Sequence, residues 1–201
     1  MVSAVLIFSL SSWALDYDAK CTEILDKVKR GETDVNFTSL RLNCAKTSWY
    51  QGRKQTRIDK LKWQMYGEAQ NGNFIEVKRL AQSMLDLNYL NMDAHRTLAW
   101  ALENLGDSAS AKRFRDIEIG LLRSIGQSGS GKSCKEGKVV IDVEEEYFVM
   151  QIMGWKLKQQ QVVTEENSRC DLLIVEENGV ERREFFNVDI VFENYKKSYK
   201  F

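Results

Sequence analysis

Up to Ile125 the apolar residues recur every three or four positions, which predicts amphipathic helices, and beyond Lys138 they alternate, which predicts strands. Between Asp18 and Arg30, Cys21, Ile24, Leu25 and Val28 fall on one helical face. Gly31 stands where a helix C-terminus favours glycine. A second helix is expected from about Thr38 to Thr47, presenting Leu40, Leu42, Cys44 and Ala45, and the two should form an antiparallel pair.

Residues 53 to 125 carry an internal repeat. A shift of 34 positions aligns Gly72-Asn73 with Gly106-Asp107, Tyr66 with Trp100, Val77 with Ala111, Lys78-Arg79 with Lys112-Arg113 and Leu80 with Phe114. A helix, a Gly-polar turn and a second helix at this period resemble the tetratricopeptide repeat, although neither unit ends in proline. Small residues such as Gly67, Ala81, Ala101 and Ala111 would let paired helices approach closely. One hairpin cannot cover its own apolar face, so neighbours must stack.

From Lys138 the pattern predicts a strand through Val139, Ile141 and Val143, a short helix from Glu144 to Met153, and a strand containing Trp155, Leu157 and Val162. A hairpin follows, from Asp171 to Val175 and from Glu184 to Phe192, turning at Asn178-Gly179, a pair suited to two positive φ angles. In that last strand Phe186, Val188, Ile190 and Phe192 would share one face. The expected fold is α+β: tetratricopeptide-like antiparallel helix hairpins over 15–125 are packed against a small, mainly antiparallel β region over 138–201. A flexible Gly/Ser-rich connector, 126–137, joins them.

Residues 2 to 14, VSAVLIFSLSSWA, form a short apolar run ending in small residues and read as a secretory signal, 1–14, cleaved after Ala14. The run is too short for a retained anchor, so no transmembrane anchor is expected after cleavage. No Lys or Arg precedes it. Export fits the cysteines: four remain, Cys21, Cys44, Cys134 and Cys170, an even number suited to disulfides in an oxidising compartment, with local pairing expected and four buried thiols as the alternative. No C-x-x-C spacing supports zinc. The expected location is therefore periplasmic or secreted.

Composition narrows the function classes. The 201 residues are 43% hydrophobic, enough for a packed core, and 29 basic side chains balance 29 acidic ones, so no basic field points to nucleic acid. Gly126–Ser133, GQSGSGKS, matches the phosphate-loop pattern, and Val139–Asp142 looks like the strand that would bring a metal-binding aspartate. The order is inverted, however, because a helix precedes the loop and a strand follows it. No nucleotide and no other cofactor is expected. The single histidine, His95, sits on a helix beside Ala94 and Leu98 and reads as a packing residue. Asp142, Glu144, Glu145, Glu146 and Asp189 could gather into a metal or acid/base site, but acids in a helix's first turn also complement its dipole.

The most basic and aromatic stretch holds Trp49, Tyr50, Arg53, Arg57 and Trp63, with Lys54, Lys60 and Lys62 among them. Such a face could receive an acidic protein or peptide partner, whereas helical spacing makes Trp63 and Tyr66 core candidates instead.

The segments FTSLRLNCAKT (37–47), LNYLNMDAHRTLAWALENLGD (87–107), SGSGKS (128–133), VVIDVEEEYFVMQIMGWK (139–156) and FFNVDIVF (185–192) together resemble a bacterial family of exported proteins. That family carries a domain of unknown function made of tetratricopeptide-like helices and a short β region. The chain departs from it at Ser130, where an acid is common, and at Cys134, where proline is common. The resemblance implies no catalytic residue. The expected function is a non-catalytic interaction module of the cell envelope. A periplasmic immunity or inhibitor protein acting on a toxin is one alternative, and a carboxylate-dependent hydrolase using Asp142 and Asp189 is another.

Overall fold

The computed structural model describes residues 8–51, 55–166 and 168–198. In chain order these form α1 (Phe8–Arg30), α2 (Phe37–Cys44), the single turn α3 (Ser48–Gln51), α4 (Gln55–Gln70), α5 (Phe74–Leu87), α6 (Met92–Asn104) and α7 (Ser108–Gly126). Then come β1 (Lys138–Val139), α8 (Val143–Met153), β2 (Lys156–Glu165), β3 (Ser168–Glu177), β4 (Val180–Asn187) and α9 (Asp189–Ser198). The architecture is α+β. Of the expected signal segment, residues 1–7 lie outside the described residues, and the remainder opens α1.

Two hairpins, α4–α5 and α6–α7, are built on the same turn at the 34-residue offset. Gly72 and Gly106 both adopt positive φ, +69° and +83°. In the first turn the amides of Gly72 and Asn73 donate to the carbonyls of Ala69 and Glu68; in the second, Gly106 and Asp107 donate to Glu103 and Leu102. This closes the orphan carbonyls of each first helix, and Asn73 and Asp107 then cap the second helix by accepting from the amides of Glu76 and Ser110. Ala81, Ala101 and Ala111 are fully buried where the helices meet, among Ile58, Met65, Val77, Met84 and Leu98. Each large aliphatic side chain buried there contributes about 1.5–3 kcal/mol. Gly67 does not share this role: it is exposed, and a Cβ there would meet open space. The close approach falls at Gly120 of α7 instead, where a Cβ would run into the ring of Phe37 on α2.

A second core joins α1, α2, α7 and α8 to the sheet through Cys21, Leu40, Ile117, Leu121, Ile141, Phe148, Leu173 and Phe186. The disulfide Cys21–Cys44 clamps α1 to α2. Arg113 of α7 caps the other end of α1, its guanidinium donating to the carbonyls of Val28 and Lys29.

The sheet runs β1-β4-β3-β2, antiparallel except for the parallel pair β1–β4. Asn178 and Gly179 turn β3 into β4 with φ of 53° and 80°, as the Asn-Gly pair predicts. Asp171, Leu173 and Val175 face the helices; Cys170 and Leu172 face the other way and pack with Phe185 and Cys134.

Three expectations are corrected. The last strand stops at Asn187 rather than Phe192: Asn187 Oδ1 accepts from the Asp189 amide at 3.1 Å and starts α9, with Val188 buried just before the helix and Val191 buried on it. The strand expected through Val143 is two residues long, because the Ile141 amide donates to Glu145 Oε2 at 2.9 Å and Asp142 caps α8. The connector is tied down rather than loose. Gly131 donates to the carbonyl of Glu136 (2.8 Å) and accepts from Phe185 (2.9 Å), Ser128 Oγ accepts from the Val139 amide, and the disulfide Cys134–Cys170 pins the segment to β3.

Candidate interaction groove

Helices α4, α6, α7 and α8 line a groove made of two recesses that share Asp93 and Gln151. The deeper one, about 300 Å³, lies between α4, α6 and α8, with Lys62, Asp93, Glu144, Tyr147 and Phe148 in its walls and Tyr50 at its base. The wider one, about 620 Å³, is lined by Tyr66, Arg96, Trp100, Arg115, Ile119 and Ile152.

Repeat geometry places the aromatic wall. Tyr66 and Trp100 occupy equivalent positions on α4 and α6, one 34-residue step apart, so both turn toward the same side. Trp100 is held edge-on by Phe74, centroids 4.9 Å apart, and Trp63 stands edge-on to Tyr66 at 6.4 Å. Trp100, Ile119 and Ile152 are 39%, 42% and 36% exposed and lie together in the wider recess, whereas the other exposed aliphatic side chains, such as Ile75, Val162 and Val180, do not line it.

The charged groups are coupled across the groove. Asp93, nearly buried at the start of α6, accepts from the Tyr66 hydroxyl at 2.5 Å and pairs with Lys62 Nζ at 3.2 Å. Burial and the Asp93 carboxylate together push the Tyr66 phenol well above its ordinary range. Glu144, in the wall of the deeper recess, accepts from Gln55 Nε2 at 3.0 Å. Its carboxyl is pushed up to about 7, chiefly by burial; Lys62 opposes the shift, and Asp142 and Asp59 add to it. Burial likewise raises Glu118 beside the wider recess.

The basic-aromatic stretch is divided by the fold. Trp63 is 73% exposed and borders the groove through Tyr66, contrary to a core placement. Trp49 is partly exposed, Arg57 is exposed, and Arg53 lies outside the described residues. Tyr50 is not on the surface: it is 1% exposed and packed in the core, because α3 turns it inward against α2 and the sheet-side cluster. The groove residues Asp93, Arg96, Trp100, Ile119 and Ile152 were not singled out by composition. The repeat offset pairing Tyr66 with Trp100 held the signal.

The remaining candidates have local duties. His95 is fully buried, with Nε2 2.7 Å from the Tyr89 carbonyl and its ring between Tyr89 and Phe114; burial holds it down at about 4, so it is neutral. All four cysteines are bonded, Cys21 to Cys44 and Cys134 to Cys170. Asp142 accepts from the Glu144 amide at the start of α8, and Asp189 is bound by the amide and guanidinium of Arg169. The Gly126–Ser133 loop runs into β1 rather than a helix, and its Gly131 backs onto the Glu184 carboxylate and Lys138, so an acid stands at the loop. Among the described residues no His, Cys, Asp and Glu side chains cluster as metal ligands. No helix among them is long and apolar enough to cross a membrane.

A family model described as "Domain of unknown function (DUF4919)" matches residues 33–197. No curated protein and no solved structure matches the chain.

Proposed function

Because the chain belongs to the DUF4919 family, whose domain is of unknown function, its working surface has to be read from its own side chains, and we propose that it is an exported, non-catalytic interaction module of the bacterial cell envelope. A protein or peptide segment docks in the groove between α4, α6, α7 and α8. The observation that carries this reading is the aromatic and aliphatic wall of Tyr66, Trp100, Ile119 and Ile152, flanked by Arg96 and Arg115, a composition suited to protein contacts. The matched turns of the two hairpins support a tetratricopeptide-like array, whose inner face commonly serves as a binding surface. Two disulfides support a periplasmic or secreted location. An immunity or inhibitor role is the special case in which the partner is a toxin.

The test replaces two groove residues that the fold leaves exposed, Ile119→Arg with Ile152→Arg. Envelope protein that co-purifies with the wild type should be lost from this variant while its melting temperature stays near the wild-type value. Undiminished co-purification would remove the groove from the account.

A further inference from the structure

Three consecutive glutamates open α8, and successive helical positions turn them in three directions. Glu144 faces the groove. Glu145 faces Arg41. Glu146 faces the sheet, where its side chain is fully buried against Asp171 of β3, and there its surroundings are unusual. Neither carboxyl oxygen of Glu146 receives a hydrogen bond from a donor among the described residues, nor does Oδ1 of Asp171.

The charged groups that face this pair offer no cation. Asp171 stands on β3, and Glu145 and Asp142 lie on Glu146's own helix end. Arg41 of α2 is engaged by Glu145, and on the same sheet face Arg182 of β4 and Lys138 of β1 are engaged by Glu184. β2 contributes a neutral amide, Gln160, and β4 places the Phe186 ring opposite Asp171. Two carboxylates in contact in a dry site cannot both be ionised, so one must keep a proton and donate it to the other. The amide of Gln160 shows which. It donates Nε2–H to Asp171 Oδ2 at 2.7 Å while its own oxygen accepts from the Tyr147 hydroxyl at 2.9 Å. Asp171 thus has a donor on one oxygen and Glu146 has none, so a charge is costlier on Glu146, to which the proton is assigned.

We infer that Glu146 and Asp171 share one proton and form a pH-sensitive latch holding α8 on the sheet. The latch stands on its own geometry; only its consequence, that opening it shifts the groove wall bearing Gln151 and Ile152, rests on the groove reading above. Burial, with Asp171 adding, pushes the Glu146 carboxyl from 4.5 up to about 9. The folded state therefore holds a proton that the unfolded chain releases. The stabilisation is fully present below the unfolded value and is lost as the pH rises through about 9.

The test uses the isolated protein without any partner, so its outcome is independent of the groove. Difference infrared spectroscopy of the wild type should show a protonated carboxyl that outlasts the Glu144 titration at about 7, disappears only as the pH rises through about 9 and is missing from Glu146→Gln, whose amide can donate to Asp171 as the acid does. The melting temperature should fall between about pH 6 and about pH 10 more steeply in the wild type than in this variant. Absence from the wild type of a band that titrates through about 9, or its persistence in a folded Glu146→Gln protein, overturns the latch. Should that variant fail to fold, the wild-type titration decides: a band lost only through about 9 supports the latch, and one lost wholly through about 7 overturns it.

Discussion

Arg41 and Glu145 meet across the interior in a two-pronged ion pair, Nε to Oε1 at 3.0 Å and Nη2 to Oε2 at 2.5 Å, with both side chains shielded from solvent. The guanidinium also donates to Ser124 Oγ and the Val139 carbonyl, each at 3.0 Å, and Glu145 accepts from the Ile141 amide. One arginine therefore ties α2 to α7, β1 and α8, the elements that join the helical array to the sheet.

Removing one partner leaves the other charge buried and unpaired. Arg41→Ala is expected to cost about 3–5 kcal/mol in denaturant unfolding. The double variant Arg41→Met with Glu145→Gln should recover much of that loss, since it removes both charges and keeps an acceptor for Ile141. A double variant no more stable than Arg41→Ala would show that the pair's worth lies elsewhere.

The hairpin turn makes a second demand. Gly106 holds φ at +83° with open space around it, so a larger residue there meets no clash and feels only the backbone. Gly106→Val should cost at least about 1–2 kcal/mol, the penalty an L-residue meets in the left-handed region. Gly67→Ala, in mid-helix with nothing near its Cβ, should be neutral or stabilising by up to about 1 kcal/mol. Equal melting temperatures for the wild type and Gly106→Val would contradict the turn assignment.

His95 gives the fold an acid limit. Its imidazole is held at about 4 by burial, below the ordinary 6.5, so the unfolded chain takes up a proton that the folded one refuses. Its stabilising share is whole above 6.5 and declines as the pH falls toward 4, by about 3 kcal/mol in all. His95→Gln should lack this component, and the gap between the two proteins should narrow on acidification. Parallel pH profiles would assign the acid sensitivity to other groups.

What could be read from the chain was whatever a short stretch decides by itself. Gly72-Asn73 and Gly106-Asp107 announced their turns because a positive φ followed by a capping oxygen is local chemistry. Asn178-Gly179 announced the β3–β4 hairpin in the same way, and the locally spaced cysteines found their partners. Val188 to Phe192 misled because apolar residues at 188 and 191 satisfy a helical spacing as well as 188, 190 and 192 satisfy alternation. The decision fell to Asn187 and Asp189, whose side chains bind backbone amides and end the strand. The groove was hidden for another reason: its residues come from four helices, and no one helix records which side its neighbours leave open. Glu144, Glu145 and Glu146 likewise look alike as first-turn acids, and only packing gives them a groove, an arginine and a buried aspartate.

The claim that the groove is the working surface is tested most directly by site-specific photo-crosslinking in the native envelope. A photoreactive residue at Thr97, inside the wider recess, should form a discrete adduct with one partner, and the same residue at Gln82, exposed on α5 away from it, should not. Adducts of equal yield at both positions, or adducts only from Gln82, would contradict the account.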